Sequence, residues 1–408
     1  MNILIINHYA GAPSKGMEYR HYYLAKEWQK LGHNVLIVCA SFTHLRSNQF
    51  KIKKDYQYCS VEGVNYLILK ANNYSDNDYK RLLNILTFIT RLSFYWKRIE
   101  REFKPDIIIS SSTYVFDIYS AKKMSLKSNA KLIFEVKDLW PLAIVETAGY
   151  SRLNPFISLM YKAEAFAYKN SDKVVSLLPK ALDYMIENGL NSEKYNYIPN
   201  GISVEEWKID EKIPEEIDLL ITEEKSKGKK LICYAGNLGI TNSLYSLIDA
   251  IKHLENENVV LFLIGNGQEK ERLKKHSEKL NLKNVYFLPG VSKNKIPSIL
   301  NKMNLLYIGL KNQPVFRFGI SPNKLMDYMM AGKPIIQAIN AGNDIVSEAG
   351  CGLTIEPDNS FAISEAVKFL ISKSETELEI MGKKGKEYCL KNHEYRVLAK
   401  KFIDVMKN

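Results

Sequence analysis

The hydrophobic residues of this 408-residue chain fall into short apolar runs that alternate with stretches of helical spacing. An uninterrupted run such as residues 35–40 is typical of a strand that is buried on both faces. Residues 19–31 and 154–169 instead place apolar side chains three or four positions apart, which predicts amphipathic helices covering a sheet. The predicted strands are residues 2–7, 35–40, 64–69, 106–110, 131–136, 173–178, 231–235, 259–264, 285–288, 305–309, 334–338 and 352–356.

This alternation of strand and helix occurs twice, with a charged stretch at residues 210–230 between the halves. Buried strands that alternate with helices predict an α/β fold with doubly wound parallel sheets. We therefore predict two Rossmann-like domains, residues 1–198 and 199–385, followed by a helix at 386–408 that packs back on the first domain. Ligands of such sheets bind beyond the carboxyl ends of the strands. We accordingly expect the site in a cleft where the two domains face each other.

Composition excludes several classes of protein. Five cysteines are scattered with no close pair, which argues against a disulfide framework or zinc site and favours a reducing, cytoplasmic compartment. The N-terminus has no signal-peptide pattern, and no apolar stretch is long enough to span a bilayer. The net charge of +12 reflects either lysine-rich composition or an anionic partner, namely a phosphorylated ligand or a membrane. Nucleic acid is the least supported of the anionic partners, because no nucleic-acid-binding motif accompanies the positive charge.

The most informative segment is the turn Ser321-Pro322-Asn323-Lys324, which opens a short amphipathic helix. Ser321 is predicted to cap the helix and Pro322 to occupy its first position. Asn323 and Lys324 add a donor and a positive charge to the helix N-terminus, a combination that suits a diphosphate. Asp327 lies one turn further on, where it can meet a pair of ribose hydroxyls. The alternative is an ordinary capped helix with a solvated lysine.

Glycine-bearing loops follow several of the predicted strands, where backbone can approach a phosphate or sugar closely. None of them is a complete dinucleotide or Walker motif, so a redox dinucleotide or ATP hydrolysis is poorly supported. The alternative for each loop is a plain turn between strand and helix. The candidate loop residues are Gly16, Gly236, Asn237, Gly265, Asn266, Gly267, Pro289, Gly290 and Val291.

Charged residues directly follow the predicted strand at 131–136. Asp138 then lies at the carboxyl end of the strand, where it can act as a base or bind sugar hydroxyls. The alternative is a cap for the next helix. Asp76-Asn77-Asp78 resembles the D-x-D of metal-dependent sugar transferases, but it lies in a polar loop before a helix and is interpreted as a helix cap. The seven histidines show no metal-ligand spacing either, so we predict no metal.

Residues 78–104 are predicted to form a basic amphipathic helix. Such a helix either lies on an anionic membrane or faces the core of the first domain, and the pattern alone does not distinguish these. The apolar row consists of Leu82, Leu86, Ile89, Leu92, Trp96, Ile99 and Phe103. The nearby basic residues are Arg81, Arg91, Lys97, Arg98 and Arg101.

Taken together, these motifs resemble the retaining glycosyltransferases of family 4, which have the GT-B fold. The blocks Asp138-Leu139-Trp140-Pro141 and Ser321-Pro322-Asn323-Lys324 look most like the WbuB-type branch, whose O-antigen and capsule enzymes transfer N-acetylated deoxyhexosamines such as fucosamine. The resemblance covers nearly the whole chain. Its other motifs are Gly16 with Glu18 and Arg20, Gly32-His33, Lys137, Pro199-Asn200-Gly201, Gly236-Asn237 and Gly265-Asn266-Gly267.

The resemblance implies a nucleotide-sugar donor bound mainly by the second domain, an acceptor on the first, and no metal or other cofactor. It makes Asp138 and Lys324 the predicted catalytic residues. The donor-binding residues that we predict are Gly16, Arg20, Gly236, Asn237, Gly265, Asn266, Gly267, Pro289, Gly290, Val291, Arg317, Ser321, Asn323, Lys324 and Asp327.

Three departures from the family pattern affect this interpretation. Gly319 stands where the family has the first of two glutamates, and Asp327 replaces the second. The usual Arg and Lys pair after the glycine loop of the second domain is missing, so Lys324, with Arg317 or Arg20, must meet the diphosphate charge. Lys137 stands where the branch usually has Arg, which loses bidentate geometry.

We predict a cytoplasmic glycosyltransferase, peripheral on the inner face of the membrane, that moves a hexosamine from a UDP-sugar to a lipid-diphosphate-linked acceptor in surface-polysaccharide biosynthesis. One alternative is an enzyme resembling UDP-sugar 2-epimerases. The other is a catalytically inactive partner that binds a sugar nucleotide, an alternative suggested by the missing first glutamate.

Overall fold

The computed structural model describes residues 1–74, 79–208 and 211–408. The chain forms two compact units with α/β architecture, Met1–Asn200 together with Tyr395–Asn408, and Gly201–Glu394. The strands are β1 Asn2–Ile6, β2 Asn34–Ala40, β3 Tyr56–Val61, β4 Val64–Leu69, β5 Ile107–Ser110, β6 Lys131–Val136, β7 Lys173–Ser176, β8 Tyr195–Tyr197, β9 Lys230–Ala235, β10 Val259–Ile264, β11 Val285–Leu288, β12 Leu305–Gly309, β13 Ile335–Ala338 and β14 Gly352–Ile355.

Helices connect most of these strands, as the helical spacing predicts. The helices are α1 Arg20–Lys30, α2 Tyr79–Phe103, α3 Ile118–Ser128, α4 Leu142–Ala148, α5 Pro155–Asn170, α6 Leu182–Glu187, α7 Glu215–Ser226, α8 Leu244–Lys252, α9 Lys270–Lys279, α10 Ile296–Asn301, α11 Asn323–Met330, α12 Ile345–Ala349, α13 Ser360–Ile371, α14 Glu375–His393 and α15 Tyr395–Lys407.

The first unit contains a sheet in the order β3-β4-β2-β1-β5-β6-β7-β8. All neighbouring strands are parallel except β3 and β4, which form an antiparallel pair at one edge. Neither edge strand was predicted from the sequence. In β3 exposed and buried residues alternate, so this strand shows no continuous apolar run, and β8 has only three residues.

The second unit contains a fully parallel sheet in the order β11-β10-β9-β12-β13-β14. Strand β10, between β11 and β9, is buried along its whole length, as expected for a strand that helices cover on both faces. The order reverses between β9 and β12, and the loops after β9, β10 and β11 emerge from the same edge. The doubly wound parallel architecture predicted from the sequence is therefore confirmed, with Rossmann-like topology in each unit.

The end of the chain returns to the first unit. Helix α15 packs on α1, where Trp28 Nε1 donates to the Ala399 carbonyl over 3.1 Å and the Trp28 ring meets Phe402 edge-on. The segment predicted as one helix over residues 386–408 is divided in the structure. Its first residues end α14 of the second unit, the extended Glu394 follows, and Tyr395 begins α15.

Candidate functional site

Lys324 lies at the start of α11 in the second unit and is only partly accessible. Its Nζ donates to Tyr234 Oη and to Asn242 Oδ1, each over 2.8 Å, and lies 4.5 Å from the centre of the Tyr234 ring. Among the described residues no carboxylate is paired with this ammonium. Burial therefore lowers the pKa of Lys324 to about 7. A buried ammonium with neutral partners alone is well suited to receive an anionic ligand.

The turn before α11 differs in detail from the prediction. Pro322, with φ −74° and ψ 127°, occupies the N-cap position, and no side chain caps the helix, so the predicted Ser321 cap is wrong. The reason is local, because the helix begins at Asn323 and Ser321 lies one residue outside the capping position. Asn323 and Lys324 are consequently the first two helical residues. Their place at the positive end of the helix is the one that the sequence indicated.

Asp327, one turn further along α11, forms an ion pair with Lys293. Lys293 Nζ lies 3.4 Å from each Asp327 carboxylate oxygen and 3.6 Å from Glu206 Oε2. Lys293 follows the loop at the end of β11, which contains Pro289, Gly290 and Val291. The predicted ribose-binding carboxylate is thus held by a lysine that was not among the predicted site residues.

The glycine loops after β9 and β10 pack backbone against backbone. A Cβ on Gly265 would lie 1.8 Å from the Gly236 carbonyl oxygen, and one on Gly267 would lie 2.3 Å from the Leu238 carbonyl oxygen. These two glycines are therefore required by contact between the loops, which accounts for them as structural turn residues. Gly236 differs, because a Cβ there would point at Lys324 Nζ from 3.4 Å. Asn237 follows it, and its carbonyl accepts from Tyr234 Oη over 2.7 Å.

Asn266 and Arg317, two further residues predicted to bind the donor, have partners within the second unit. Asn266 Oδ1 accepts from the Gly290 N–H over 3.4 Å, which joins the loops after β10 and β11. Arg317 is exposed, donates to the Pro314 carbonyl over 2.6 Å and stacks on Phe318.

Gly319, which stands where the family has its first glutamate, has φ +100°. Residues with a side chain rarely adopt this backbone conformation. Glycine therefore suits the conformation of this loop, and a glutamate at 319 would be strained.

In the first unit a buried carboxylate, Glu135 at the end of β6, is the centre of an ion-pair network. Arg20 Nε donates to Glu135 Oε1 over 2.9 Å, and His21 Nε2 and Ser111 Oγ each lie 2.6 Å from Oε2. Burial alone would raise the pKa of Glu135, but Arg20 and His21 hold it well below its ordinary value. Burial lowers the pKa of His21 and Glu135 opposes that shift.

Arg20 was predicted to contact the donor, and its guanidinium is engaged elsewhere. Besides Glu135, it donates to the Ile198 carbonyl over 3.0 Å and to the Pro199 carbonyl. The side chain is 3% exposed, so its donors are occupied inside the first unit. Arg20 thus ties the start of α1 to the end of β6 and to residues 198–199, in place of the predicted diphosphate contact.

The first loop, residues 8–18, is held by the segment at residues 46–47. Arg46 is buried and donates to the carbonyls of His8, Ala10 and Ala40 over 2.7–3.2 Å. Gly16 has φ +102°, and a Cβ there would lie 2.7 Å from the Ser47 nitrogen. Packing on residues 46–47 therefore explains Gly16, whether or not a donor also approaches it.

Asp138 lies just beyond β6 and its side chain is exposed. It does not cap α4, whose N-cap is Pro141 with no side-chain hydrogen bond, so the alternative of a helix cap is wrong. Asp138 lines a small pocket in the first unit. The other lining residues are Ser111, Ser112, Thr113, Val115, Phe134, Glu135, Val136, Lys137, Trp140 and Glu164.

Two ionisable residues that line this pocket, Lys137 and Glu164, are held by other side chains. Lys137 Nζ pairs with Glu18, a residue of the first loop, which also accepts from Asn7 Nδ2 over 3.2 Å. Glu164, on α5, accepts from Tyr168 Oη and Tyr184 Oη over 3.0 and 2.9 Å. Burial raises the pKa of Glu164 to about 8, and the two tyrosines oppose the shift. The pocket therefore combines hydroxyls, an exposed carboxylate and an aromatic ring, a chemistry that suits a sugar.

The next observations concern metal ligands and membrane-spanning helices. Within residues 1–74, 79–208 and 211–408, no group of three or more histidine, cysteine or acidic side chains is arranged to hold a metal. The D-x-D stretch Asp76-Asn77-Asp78 lies outside the described residues. In the same described part of the chain, no helix is long and apolar enough to cross a membrane.

Neither the network of Glu18, His21 and Glu135 nor the place of Glu164 in a pocket was predicted from the sequence. A charged residue inside the apolar run of β6 was the available indication for Glu135, because a buried charge requires a partner. Glu164 had no such indication, since a glutamate in an amphipathic helix is ordinarily solvated.

Two protein-family models together match most of the chain. Residues 14–206 match the model described as Glycosyltransferase Family 4, and residues 218–388 match the one described as Glycosyl transferases group 1. Two curated relatives are bacterial. WcaI of Escherichia coli, described as a putative colanic acid biosynthesis glycosyl transferase, is 23% identical over 296 residues, which are 71% of this chain and 72% of WcaI. WbjE of Pseudomonas aeruginosa, described as a probable glycosyltransferase, is 22% identical over 318 residues, 76% of either chain.

Solved structures show the same fold over the full length. The sucrose-phosphate synthase of Thermosynechococcus elongatus has a TM-score of 0.75 at 14% identity, covering 100% of this chain and 98% of the enzyme. HepE of Anabaena, solved with UDP and glucose, has a TM-score of 0.69 at 14% identity and full coverage of both chains. WaaG, a glycosyltransferase involved in lipopolysaccharide biosynthesis, has a TM-score of 0.67 at 15% identity, with 99% of each chain covered.

Proposed function

Because this chain is a glycosyltransferase with the GT-B fold, built from a family 4 and a group 1 domain, we propose that it transfers a sugar from a UDP-sugar to a lipid-diphosphate-linked acceptor. The transfer retains the configuration of the sugar and serves bacterial surface-polysaccharide biosynthesis. The sugar we propose is an N-acetylated hexosamine or deoxyhexosamine. The names of WcaI and WaaG support the polysaccharide assignment, and the ligands of HepE support a UDP-sugar.

The observation that carries this proposal is Lys324, a largely enclosed ammonium with two neutral hydrogen-bond partners at a helix N-terminus. When the bond from the anomeric carbon to the diphosphate breaks, negative charge grows on the leaving phosphate oxygen. The Lys324 ammonium and the first N–H groups of α11 stabilise that charge more than they stabilise the intact donor.

The protons of this transfer balance without a metal or a protein base. The acceptor hydroxyl oxygen forms the new bond to the anomeric carbon, and its proton passes to the leaving diphosphate. Asp138, in the pocket of the first unit, accepts a hydrogen bond from a sugar hydroxyl and thereby positions it.

The test is incubation of the purified protein with a panel of UDP-sugars, with and without a lipid-diphosphate-linked sugar and with EDTA. We expect one UDP-N-acetylhexosamine to be consumed only when the acceptor is present, at a rate that EDTA leaves unchanged. Conversion of the UDP-sugar without acceptor would instead indicate an epimerase. Binding of a UDP-sugar with no conversion in either case would indicate an inactive partner.

The acceptor proposal includes an anionic membrane surface, and the structure changes which residues of α2 are available to it. Leu92 and Ile99 of the predicted apolar row are fully buried, but Leu82 and Leu86 of the same row are exposed, so the row is divided between the core and the surface. The buried face of α2 consists of Asn84, Ile85, Phe88, Leu92 and Ile99. Arg91 pairs with Asp55 outside the helix, and Arg98 pairs with Glu102 of α2 itself and lies 4.1 Å from the centre of the Tyr56 ring on β3. Both cations are therefore already engaged within the first unit. The exposed stripe of the helix, at spacings of three and four, consists of Tyr79, Leu83, Leu86, Thr90, Phe94, Lys97 and Arg101.

We expect the protein to sediment with anionic lipid vesicles and much less with neutral ones. In this stripe Phe94 is 77% exposed, and Lys97 and Arg101 add positive charge beside it. Each cation near the surface contributes about 1 kcal/mol, so Lys97→Gln with Arg101→Gln should weaken the partition about tenfold or more. Phe94→Ser should weaken the part of the binding that remains in high salt.

The matched control is Leu219→Ser, which removes an apolar side chain that is 64% exposed on α7 of the second unit. It should bind vesicles as the unchanged protein does. Equal sedimentation with neutral and anionic vesicles, or with neither, would show that this face of α2 does not contact lipid.

A further inference from the structure

Lys293 joins two parts of the second unit that lie around the proposed nucleotide site. It begins the short 3₁₀ helix Lys293–Lys295, just after the loop at 289–291. Its Nζ is equidistant, at 3.4 Å, from the two oxygens of Asp327, and Glu206 Oε2 lies 3.6 Å away. The three side chains are 16–18% exposed, so the ammonium lies between two largely buried carboxylates.

The position of Asp327 suits a vicinal diol. It lies three residues after Lys324 on α11, and residues three apart lie on the same face of a helix. A nucleotide whose diphosphate meets Lys324 places its ribose within reach of the next turn. An ionised carboxylate accepts hydrogen bonds at both oxygens, as two neighbouring hydroxyls require.

The contact with Lys293 leaves that capacity intact. A carboxylate has about four lone-pair sites on its two oxygens, and Lys293 approaches both oxygens equally. Each oxygen therefore keeps an acceptor site for one hydroxyl. Charge-assisted contacts between partly buried groups hold the carboxylate in one orientation, which a solvated aspartate would not keep.

We propose that Lys293 is a positioning residue for ribose recognition, acting through Asp327. Asp327 contacts the ribose hydroxyls, Lys293 fixes its orientation, and Glu206 holds Lys293 in place. The inference rests on the proposed function only in that the second unit binds a uridine nucleotide. It assigns to this chain's own lysine the ability to distinguish a ribonucleotide from a deoxyribonucleotide.

The experiment measures binding of UDP and of 2′-deoxyuridine diphosphate to the purified full-length protein by calorimetry. We expect the unchanged protein to prefer UDP by about tenfold, the effect of one hydrogen bond to a charged group. Lys293→Met should lower that preference to about threefold or less, mainly by weakening UDP. Lys293→Arg should retain most of it. The control Lys295→Met, which removes a neighbouring lysine from the same 3₁₀ helix, should behave as the unchanged protein does.

The outcomes separate the inference from the proposed function. If Lys293→Met leaves the preference for UDP unchanged, or binds UDP more tightly, the positioning role is overturned while nucleotide binding stands. If the unchanged protein binds UDP and 2′-deoxyuridine diphosphate equally well, Asp327 does not contact the ribose 2′-hydroxyl and the inference is overturned as well. If the unchanged protein does not bind UDP at all, both are overturned. Should Lys293→Met fail to fold in a thermal melt, Glu206→Gln provides the same comparison, with a smaller expected loss of preference.

Discussion

Replacing Lys324 with methionine is expected to lower kcat/KM for the UDP-sugar at least about tenfold while leaving the protein folded. The ammonium that Tyr234 and Asn242 hold would be lost, and with it a charged hydrogen bond of about 1.5–3 kcal/mol to the diphosphate. Methionine fills most of the same volume, so the packing on the Tyr234 ring is largely kept. Steady-state kinetics with varied donor, together with a thermal melt, measure both effects.

The pKa of Lys324 predicts how kcat/KM for the UDP-sugar depends on pH. With a pKa of about 7, Lys324 of the free enzyme is charged below neutral pH and loses its proton above it. A sugar diphosphate does not titrate in this range, so kcat/KM for the donor should fall above about pH 7, because kcat/KM reports groups of the free enzyme. The Lys324→Met enzyme should lack this fall.

The control for both measurements is Lys333→Met, which removes an ammonium just beyond the other end of α11. It should keep the donor kinetics and the pH profile of the unchanged protein. A Lys324→Met enzyme with unchanged kcat/KM, or one with the same fall above pH 7, would remove Lys324 from the diphosphate site.

The largest effect on stability is expected for Glu135→Ala. The substitution leaves the buried guanidinium of Arg20 without its carboxylate, and removing one partner of a buried ion pair costs about 3–5 kcal/mol. It also removes the acceptor of His21 and Ser111. A domain has about 5–15 kcal/mol of stability in total, so the first unit should unfold at a markedly lower denaturant concentration.

Denaturant unfolding followed by fluorescence measures this loss, with a second transition if the two units unfold separately. Glu27→Ala is the control in the first unit, because it breaks a pair within one turn of α1 whose lysine, Lys30, is 53% exposed and remains solvated without its partner. It should change stability by at most about 1 kcal/mol. The double substitution Arg20→Ala with Glu135→Ala should cost less than the sum of the single ones. Equal effects of Glu135→Ala and Glu27→Ala would show that the network does not stabilise the fold.

The sequence by itself determined the architecture and the residues at the centre of the proposed donor site. Continuous apolar runs alternating with amphipathic stretches are specific to covered parallel strands, which is why nearly all the strands were predicted close to their observed positions. Lys324 was found for a similar reason. Its place beside Pro322 and Asn323 at a helix start depends on neighbours in sequence, and such local chemistry can be read from the chain.

Only the tertiary structure decided what each charged residue meets. Arg20 looked available for a diphosphate, but the fold encloses it with Glu135, 115 positions away. Lys293 and Asp327 are 34 positions apart, and only the packing of the 3₁₀ helix after β11 against α11 brings them together. On α2 the periodicity identified an apolar row but not the side on which the core lies. Pairing of charges and choice of the buried face depend on contacts between distant segments, and these have no pattern within any one segment of the chain.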